Sequence, residues 1–499
     1  MDVMMKMEIL LMTLVLFTIA IPTTYLAERK YSGAGSIILS LVAIVNFILI
    51  FSIIPNVLSP VNNHRYVETY YWIPAINASI SLFLDGISFS LSSISLVLIA
   101  AVSLYSYDYM QDQKNPSQYY ALVTLLSLGL IGIFITSNLL LFYFFWELIL
   151  IPSYFIIGEW GSRDSYGIAF KFIIITHAGA VLVLLGIGTA FVETGSLDLF
   201  QVQSALATMQ SGLTIWMLIA LTIGFAVKLA VVPAHIWLPD TYSESPVTMS
   251  ALLGGVMTTA GAYGILRLSL GMVYSTLNYM AFKMSFIHIL ALFGVVSALF
   301  GSLLAISEKD VNRLLAYSSI SHMGYVVFGL SLFPNPLAII AVVLHLLNHG
   351  ISKGLFFLST GDIVKQTGTR IMDDISGVGS QMPIIGTSAA IAALSIGGVP
   401  PFACFISEFF IFMSAFQVLS LDSFYLIPTL LMLSANVFSL AYSTRFVGSV
   451  VLGPVKSNQL HEKSKIIAAI ALILVSVIII LGIMPTIFTE FIALVNFQT

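Results

Sequence analysis

Stretches of about 20 apolar residues recur along the whole chain, and short polar connections separate them. A helix of this length crosses the roughly 30 Å hydrocarbon core of a lipid bilayer. Apolar residues make up 59% of the sequence and charged residues only 8%, against roughly 25% charged residues in an average soluble domain. The pattern predicts an all-α polytopic membrane protein, with residues 1–499 forming a single transmembrane domain.

Fourteen segments have the length and hydrophobicity of membrane-spanning helices. They cover residues 7–26, 34–54, 84–107, 119–137, 138–157, 166–193, 212–235, 247–274, 283–305, 314–333, 337–361, 384–419, 425–452 and 466–492. The segment 384–419 is too long for one straight span, and it contains the sequence GGVPP at residues 397–401. Because proline interrupts helices, we expect one broken helix there, the twelfth.

The lysines and arginines fall mostly on one side of this predicted topology. Connections after odd-numbered spans hold or adjoin thirteen of the 19 basic residues: Arg29, Lys30, Lys114, Arg163, Lys171, Lys309, Arg313, Lys365, Arg370, Arg445, Lys456, Lys463 and Lys465. The opposite side holds Lys6, Arg65, Arg267 and Lys283, and the remaining two, Lys228 and Lys353, lie within spans. Since cytoplasmic loops are enriched in Lys and Arg, the split predicts a plasma-membrane protein with both termini on the outer side.

Two helix breaks suggest an internal repeat. The seventh span is interrupted at Pro233 and the twelfth at Pro400 and Pro401, five spans later. Interrupted helices at corresponding positions of two halves are typical of inverted-repeat transporters. We therefore predict two inverted five-helix repeats, residues 119–274 and 283–452.

A lysine lies deep within the seventh span. Lys228 stands five residues before Pro233, and a charge at the centre of a bilayer costs about 2.5–3.5 kcal/mol, so water, a counter-charge or an ion pathway must receive it. Glu147, flanked by aromatic residues in the fifth span, likewise needs a partner or a proton. The two residues are predicted to form a pair that takes part in ion translocation, and a purely structural buried pair is the alternative.

A stripe of titratable residues follows in the eleventh span. His345, His349 and Lys353 are spaced four apart, so they share one helix face. Histidine titrates near neutral pH, which suits a proton relay, whereas satisfied core residues are the alternative. His322 lies behind three serines whose hydroxyls either hold water or brace a packed interface. Glu408 is a buried acid just beyond the second break, and we include it in the predicted route.

Residues near the first break are candidates for a boundary or gate. His235 and Asp240 flank Trp237 there and are assigned this role. The remaining polar residues of the spans receive packing or capping roles: His177, His288 and Cys404 as packing residues, and Asp85 as the N-cap of the third span.

Several function classes are not indicated by the sequence. It contains one cysteine and neither a Walker loop nor a dinucleotide-binding fingerprint followed by a βαβ unit. It also has no basic patch for nucleic acid. We therefore expect no catalytic residue, no metal site, no cofactor bound by this chain and no nucleic-acid partner.

Five stretches of the chain carry a resemblance to a known family: FFWELILIPSYF, GFAVKLAVVPAHIWLPDTYSESPV, AYGILR, DVNRLLAYSSISHMGYV and GGVPPFACFISEFF. They resemble the antiporter-like subunits of the respiratory complex I superfamily. The similarity is greatest to subunit M of NADH dehydrogenase. It extends to D-type subunits of multisubunit sodium/proton antiporters and to the matching subunits of membrane-bound hydrogenases and sulfur reductases.

The resemblance implies roles for matching positions. Glu147 and Lys228 would form the ion pair that gates uptake, His322 and His349 would occupy central histidine positions, and Glu408 would match the charged residue of the exit. The chain departs from the family at Thr259, where the eighth helix usually carries a lysine. Threonine can orient water or ligate sodium but cannot carry a proton. Either Lys353 supplies the missing group, or this chain is coupled differently, or its channel is inactive.

The sequence thus predicts a membrane subunit that moves H⁺ or Na⁺ without holding a redox centre of its own. The expected partners are other membrane subunits, including further antiporter-like ones, a redox or hydrogenase module on separate chains, and the lipid membrane. A secondary sodium/proton antiporter without a redox partner is one alternative function. A structural membrane subunit with an inactive channel is another. Whether the chain counts as part of an enzyme depends on these partners.

Overall fold

The computed structural model of the protein describes residues 8–76, 78–162, 164–208, 212–455, 460–495 and 497. Three basic residues used to predict orientation, Lys6, Arg163 and Lys456, lie outside the described residues. So does residue 7, the first of the first predicted span.

The chain begins with helices and one β-hairpin: α1 Ile9–Lys30, α2 Ala34–Ser52, α3 Ile54–Leu58, β1 Tyr66–Ile73, β2 Ala78–Leu84 and α4 Gly86–Tyr109. The antiparallel hairpin places Tyr66 opposite Leu84. Its Glu68 carboxylate accepts hydrogen bonds from the backbone N–H groups of Leu10 (2.7 Å) and Leu11 (2.9 Å), and so satisfies the free N-terminus of α1. The hairpin was not predicted, although the aromatic and β-branched run YVETYYWI favours a strand.

The next part of the chain is helical and contains the first break. Its helices are α5 Pro116–Ile135, α6 Leu139–Trp160, α7 Ser165–Thr194, α8 Leu199–Thr208, α9 Gly212–Leu229, α10 Leu238–Glu244, α11 Val247–Leu252 and α12 Thr258–Gly264. The π-helical stretch Leu253–Met257 joins α11 to α12, and a second one, Ile265–Val273, extends α12, so that they form one largely buried span, Val247–Thr276. Such stretches occur frequently at functional sites.

The last part of the chain contains the second break. Its helices are α13 Met280–Ser307, α14 Val311–Ser331, α15 Pro336–Thr367, α16 Val378–Gln381, α17 Pro383–Ile396, α18 Ala403–Leu419, α19 Leu426–Phe446, α20 Lys465–Ile483 and α21 Thr486–Ala493. Helices α13 and α14 approach closely at small residues. A methyl group added to Gly294 would lie 2.6 Å from the backbone nitrogen of Phe328. Small residues at such contacts are typical of helix packing in membranes.

Among the described residues, twelve helices are long and apolar enough to cross a membrane. The all-α polytopic fold is therefore confirmed. The predicted count of fourteen adds α14 and the broken pair α17 and α18 to these twelve, and that count stays a prediction. The assignment of residues 119–274 and 283–452 to two inverted repeats likewise stays a prediction.

Both predicted breaks are present. Helix α9 ends at Leu229, and Ala230 then adopts a left-handed conformation (φ +58°) that non-glycine residues rarely take. The backbone N–H of Val232, freed by the break, donates to the Ser297 hydroxyl of α13 at 3.0 Å. At the second break, α17 ends at Ile396 and Gly398 takes the left-handed conformation (φ +67°). Each break thus exposes main-chain groups within the helix bundle, as transporters do at ion sites.

Candidate functional site

Lys228 is buried in the last turn of α9, immediately before the first break. Its side chain is 1% exposed. The Nζ atom donates to the Trp146 carbonyl oxygen of α6 at 3.2 Å and lies 4.0 Å from the centroid of the Trp146 ring. Among the described residues, no carboxylate oxygen lies within 4.0 Å of this nitrogen. The lysine is therefore held by a main-chain oxygen and an aromatic face.

Glu147 follows Trp146 on α6 and forms no ion pair with Lys228 among the described residues. One of its carboxylate oxygens, Oε2, lies 3.3 Å from Nδ1 of His177 on α7, whereas Oε1 is buried without a hydrogen-bond partner. The structure thus brings both predicted residues, Glu147 and Lys228, to neighbouring positions. The direct partner of Glu147 is His177 rather than Lys228.

The packing interpretation of His177 is wrong, and that of His288 holds for its ring but missed its carboxylate partner. The His177 side chain is 55% exposed on the outer face of the helix bundle and pairs with Glu147. His288 Nε2 lies 2.6 Å from Oδ2 of Asp422, and the ring stacks on Phe424 with centroids 3.8 Å apart. Partial burial acts to raise the pKa of Asp422, but the hydrogen bonds from His288 and the Phe424 backbone outweigh it and lower that pKa below its ordinary value.

The second site is a group of fully buried residues that we call the histidine cluster: His322, His345, His349, Lys353 and Glu408. His322 of α14 is at its centre. Its Nδ1 atom lies 3.1 Å from Nε2 of His345, and its Nε2 atom lies 3.2 Å from the Tyr442 hydroxyl. Nδ1 of His345 in turn lies 3.0 Å from the Ser407 hydroxyl. Four side chains from α14, α15, α18 and α19 therefore form one hydrogen-bonded chain.

The hydrogen bond from Ser407 to the Cys404 carbonyl favours one arrangement of protons along this chain. Ser407 donates its proton to the Cys404 carbonyl at 2.9 Å, so its oxygen accepts the Nδ1–H of His345. The lone pair on His345 Nε2 then accepts the Nδ1–H of His322, whose Nε2 accepts from Tyr442. Because hydroxyls both donate and accept, a second arrangement exists in which every donor and acceptor along the chain is exchanged.

Glu408 lies beside this chain, near the start of α18. Its Oε1 atom is 3.8 Å from Nδ1 of His322 and has no hydrogen-bond partner, while Oε2 accepts a hydrogen bond from the Asn436 amide at 2.6 Å. Asn436 is only half-buried, so it lies between the carboxylate and the surface of the bundle. A buried acid with one free oxygen is suited to accept a proton from the chain.

Lys353 and His349 complete the histidine cluster from α15. Lys353 Nζ donates to the Leu315 carbonyl at 2.7 Å and to the Ser318 hydroxyl. The His349 ring centroid is 5.2 Å from that of His322, and neither His349 nitrogen has a hydrogen-bond partner among the described residues. All three residues of the predicted α15 stripe thus face the same buried space.

Thr259 does not join the two sites. Its side chain is buried, and its hydroxyl donates to the Gly255 carbonyl of its own helix at 3.3 Å. The span that carries it crosses α15 with the two backbones in contact, since a methyl group added to Gly350 would lie 2.5 Å from the Gly255 oxygen. Helix α12 therefore offers no proton-carrying group at this position.

The two candidates near the first break have different surroundings. His235 packs its ring against Phe300, with centroids 4.9 Å apart, and its Nδ1 is buried without a partner. Asp240 binds Lys171 of α7 at 2.8 Å and Arg313 of α14 at 3.1 Å. Asp240 thus ties two helices together, and a gating role for either residue stays a prediction.

Asp85 caps α4 as predicted, by accepting hydrogen bonds from the backbone N–H groups of Ile87 (3.1 Å) and Ser88 (3.0 Å). The same carboxylate also pairs with Arg267, and both side chains are buried. The capping prediction missed this partner. Cys404 is fully buried beside Ser352, as expected of a packing residue.

Sequence reasoning missed several residues that complete these sites. Tyr442, Asn436 and Ser407 hold the histidine cluster, and Trp146 holds Lys228. Tyr442 and Asn436 lie on an apolar helix and belong to no motif. Their polar side chains in a predicted span were the one available signal, because a buried polar group needs a partner.

Residues 136–435 match the family model described as NADH:quinone oxidoreductase/Mrp antiporter, transmembrane region. The chain is 34% identical over 355 residues to F(420)H(2) dehydrogenase subunit M of Methanosarcina mazei, with 70% of each protein covered. It is 31% identical over 434 residues to NADH-quinone oxidoreductase subunit M of Rickettsia conorii, a match that covers 85% of this chain and 83% of the relative.

Two solved structures share the fold. A chain of respiratory complex I from Thermus thermophilus superposes with a TM-score of 0.84 at 20% identity, covering 96% of this chain and 97% of that one. A chain of the Mrp complex from Dietzia sp. DQ12-45-1b gives a TM-score of 0.83 at 20% identity, with 97% of both chains covered. At these identities the likeness concerns the fold alone.

Proposed function

Because the chain belongs to the NADH:quinone oxidoreductase/Mrp antiporter family of membrane subunits, we propose that it moves protons across the plasma membrane as one subunit of a redox-driven complex. Relatives named as subunits of F(420)H(2) dehydrogenase and NADH-quinone oxidoreductase support a redox-driven assembly. In this proposal the redox centres and their cofactors reside on partner chains, and further antiporter-like subunits lie beside this one in the membrane.

The observation that carries the proposal is the hydrogen-bonded chain of Ser407, His345, His322 and Tyr442 in the interior of the bundle. Ionisable residues within membrane spans are costly and mark ion pathways or proton relays by default. Imidazoles and hydroxyls pass protons, whereas Na⁺ prefers a cage of oxygen ligands. The geometry of the histidine cluster therefore favours H⁺ over Na⁺ as the transported ion.

Glu147 and Lys228 act as the entrance of this route in our proposal. Lys228 has no carboxylate in contact among the described residues, and Glu147, next to its partner Trp146, is paired with His177 instead. Glu408, next to the half-buried Asn436, is the corresponding exit group. Lys353 supplies the titratable group that Thr259 lacks.

A structural subunit with an inactive channel is the second candidate function. One observation favours it: the Thr259 hydroxyl bonds the Gly255 carbonyl of its own helix, so this position supplies no proton carrier between Lys228 and the histidine cluster.

The test compares proton pumping by the assembled complex with wild-type chain, with Lys353→Ala and with Lys365→Ala. Lys365 is a matched control because it lies on the same helix but is exposed. We expect Lys353→Ala to abolish most of the pumping per electron pair while the complex still assembles, and Lys365→Ala to pump normally. Normal pumping by Lys353→Ala would contradict the relay, and would leave the inactive-channel candidate.

A further inference from the structure

Three side chains of the histidine cluster converge as the ligands of a metal ion do. One ligand atom each from His322, His345 and Glu408 lies within 4.8 Å of the other two, and all three residues are buried. His322 Nδ1 is 3.1 Å from His345 Nε2 and 3.8 Å from Glu408 Oε1. We propose that these three residues form a binding site for a divalent transition-metal ion of the Zn²⁺ class.

The spacing of the ligand atoms fits such an ion. Zinc binds nitrogen and carboxylate oxygen at roughly 2.0–2.2 Å in tetrahedral geometry, which places neighbouring ligand atoms about 3.3–3.6 Å apart. The two measured separations, 3.1 and 3.8 Å, lie on either side of that range. The third separation, between the ligand atoms of His345 and Glu408, is at most 4.8 Å. Side-chain shifts that bring these two atoms closer would complete three of the four tetrahedral positions, and a water molecule would take the fourth.

Each ligand is also oriented by a second partner. The atoms that would not face the metal are His322 Nε2, His345 Nδ1 and Glu408 Oε2, and they are held by Tyr442, Ser407 and Asn436 respectively. Such outer partners fix the tautomer and direction of metal-binding side chains. The Glu408 atom that would bind the metal is Oε1. It is buried without a hydrogen-bond partner and lies 3.8 Å from His322 Nδ1.

The donor set selects the class of ion. Two imidazoles and one carboxylate suit Zn²⁺ and its transition-metal neighbours, whereas Na⁺ and Mg²⁺ prefer oxygen ligands throughout. His349 lies in the same cluster, but its nitrogens do not converge with the three ligand atoms. It therefore serves as a matched control of the same residue type and the same burial.

A bound metal ion and the proton of the relay exclude each other. Both facing nitrogens, His322 Nδ1 and His345 Nε2, must be unprotonated to bind metal, yet the hydrogen bond between them requires a proton on one. In the bound form the His322 proton moves to Nε2 and is donated to the Tyr442 oxygen. Metal binding should therefore stop proton transfer. This consequence rests on the proposed function, whereas the binding itself does not.

The test titrates the purified complex with Zn²⁺ against a chromophoric chelator and records X-ray absorption at the zinc edge. We expect one ion bound to this chain by nitrogen and oxygen ligands, lost in His345→Gln and in Glu408→Gln and kept in His349→Gln. Ser407→Ala leaves all three ligands in place and should weaken binding about 10- to 100-fold. It tests the site even if the ligand variants fail to assemble.

Two results would overturn the site: zinc that stays bound in both ligand variants, or zinc that is lost equally in His349→Gln. The variant His288→Gln removes the His288–Asp422 pair and so measures any zinc that binds there instead. Proton pumping is measured on the same samples. Wild-type complex that binds zinc here but pumps unchanged would confirm the metal site and contradict the relay, so the two proposals fail separately.

Discussion

Both buried lysines are held by main-chain oxygens rather than by carboxylates. Lys228 donates to the Trp146 carbonyl and Lys353 to the Leu315 carbonyl, each across a helix interface. A carboxylate in direct contact would fix the lysine in its charged form, because removing one partner of a buried ion pair is strongly unfavourable. A carbonyl oxygen accepts a hydrogen bond from either the ammonium or the neutral amine. At the scale of the residue, both lysines can therefore lose or gain a proton while they keep the same hydrogen-bond acceptor.

The pair of His177 and Glu147 should tune the entrance of the route. We expect His177→Gln to lower pumping per electron pair several-fold, because Glu147 would lose its direct partner at the entrance of the proposed route. Glu147→Gln should lower pumping per electron pair at least as far. The double variant should pump no less than Glu147→Gln alone, because both changes act on one pair.

The control for this prediction is His288→Gln, which breaks a histidine–carboxylate pair elsewhere in the chain. Pumping by assembled complexes in lipid vesicles is the measurement. Additive losses in the double variant would show that His177 acts independently of Glu147.

At the scale of the helix, a close contact between two backbones fixes where the histidine cluster lies in the bundle. The span Val247–Thr276 and α15 meet at Gly255 and Gly350, and α15 carries three members of the histidine cluster. No side chain fits between these backbones, so the glycines set the depth at which the cluster lies.

Gly350→Ala should destabilise the chain by about 1–3 kcal/mol, the usual cost of overpacking. The added methyl group would lie 2.5 Å from the Gly255 carbonyl oxygen, which is main chain and cannot swing away. Gly188→Ala is the matched control, since it adds the same methyl group to a helix position with no atom within 4 Å. Thermal unfolding in detergent measures both variants, and equal stability of the two would contradict the predicted contact.

The helix breaks and the cap of α4 were predictable because the residues concerned act locally. Proline removes a backbone donor wherever it stands, and Asp85 caps the N–H groups that follow it. The partners of Glu147 and Asp85 were not predictable in the same way. His177 and Arg267 lie 30 and 182 residues away in sequence, and only the packing of the helices brings them near.

For the whole molecule, the distribution of basic residues predicts orientation. The single cysteine, Cys404, is buried, so Cys404→Ser provides a cysteine-free chain for labelling. We expect a membrane-impermeant maleimide to label Val61→Cys in intact cells and Lys365→Cys only after permeabilisation, since both positions are exposed on opposite predicted sides. Labelling in the reverse order would place the termini in the cytoplasm.

The membrane-spanning architecture was evident from hydrophobicity alone, because each span must satisfy its own backbone in lipid. Hydrophobicity carries no information about which spans touch. The residues of the histidine cluster come from α14, α15 and α18, and the sequence showed only the α15 stripe as a group. The β-hairpin of residues 66–84 was missed for a related reason: it lies outside the spans, where hydrophobicity does not constrain the fold.

The ion pairs of Asp240 connect the two sites mechanically. Asp240 lies just after the first break and is bound by Arg313, which stands on the same rigid helix as His322. Nine residues of α-helix correspond to a strut roughly 14 Å long. The pairs are half-exposed and add little stability. Arg313 stands in the first turn of α14 and His322 near its middle, so a displacement of α10, which carries Asp240, would be passed along α14 towards the His322 imidazole.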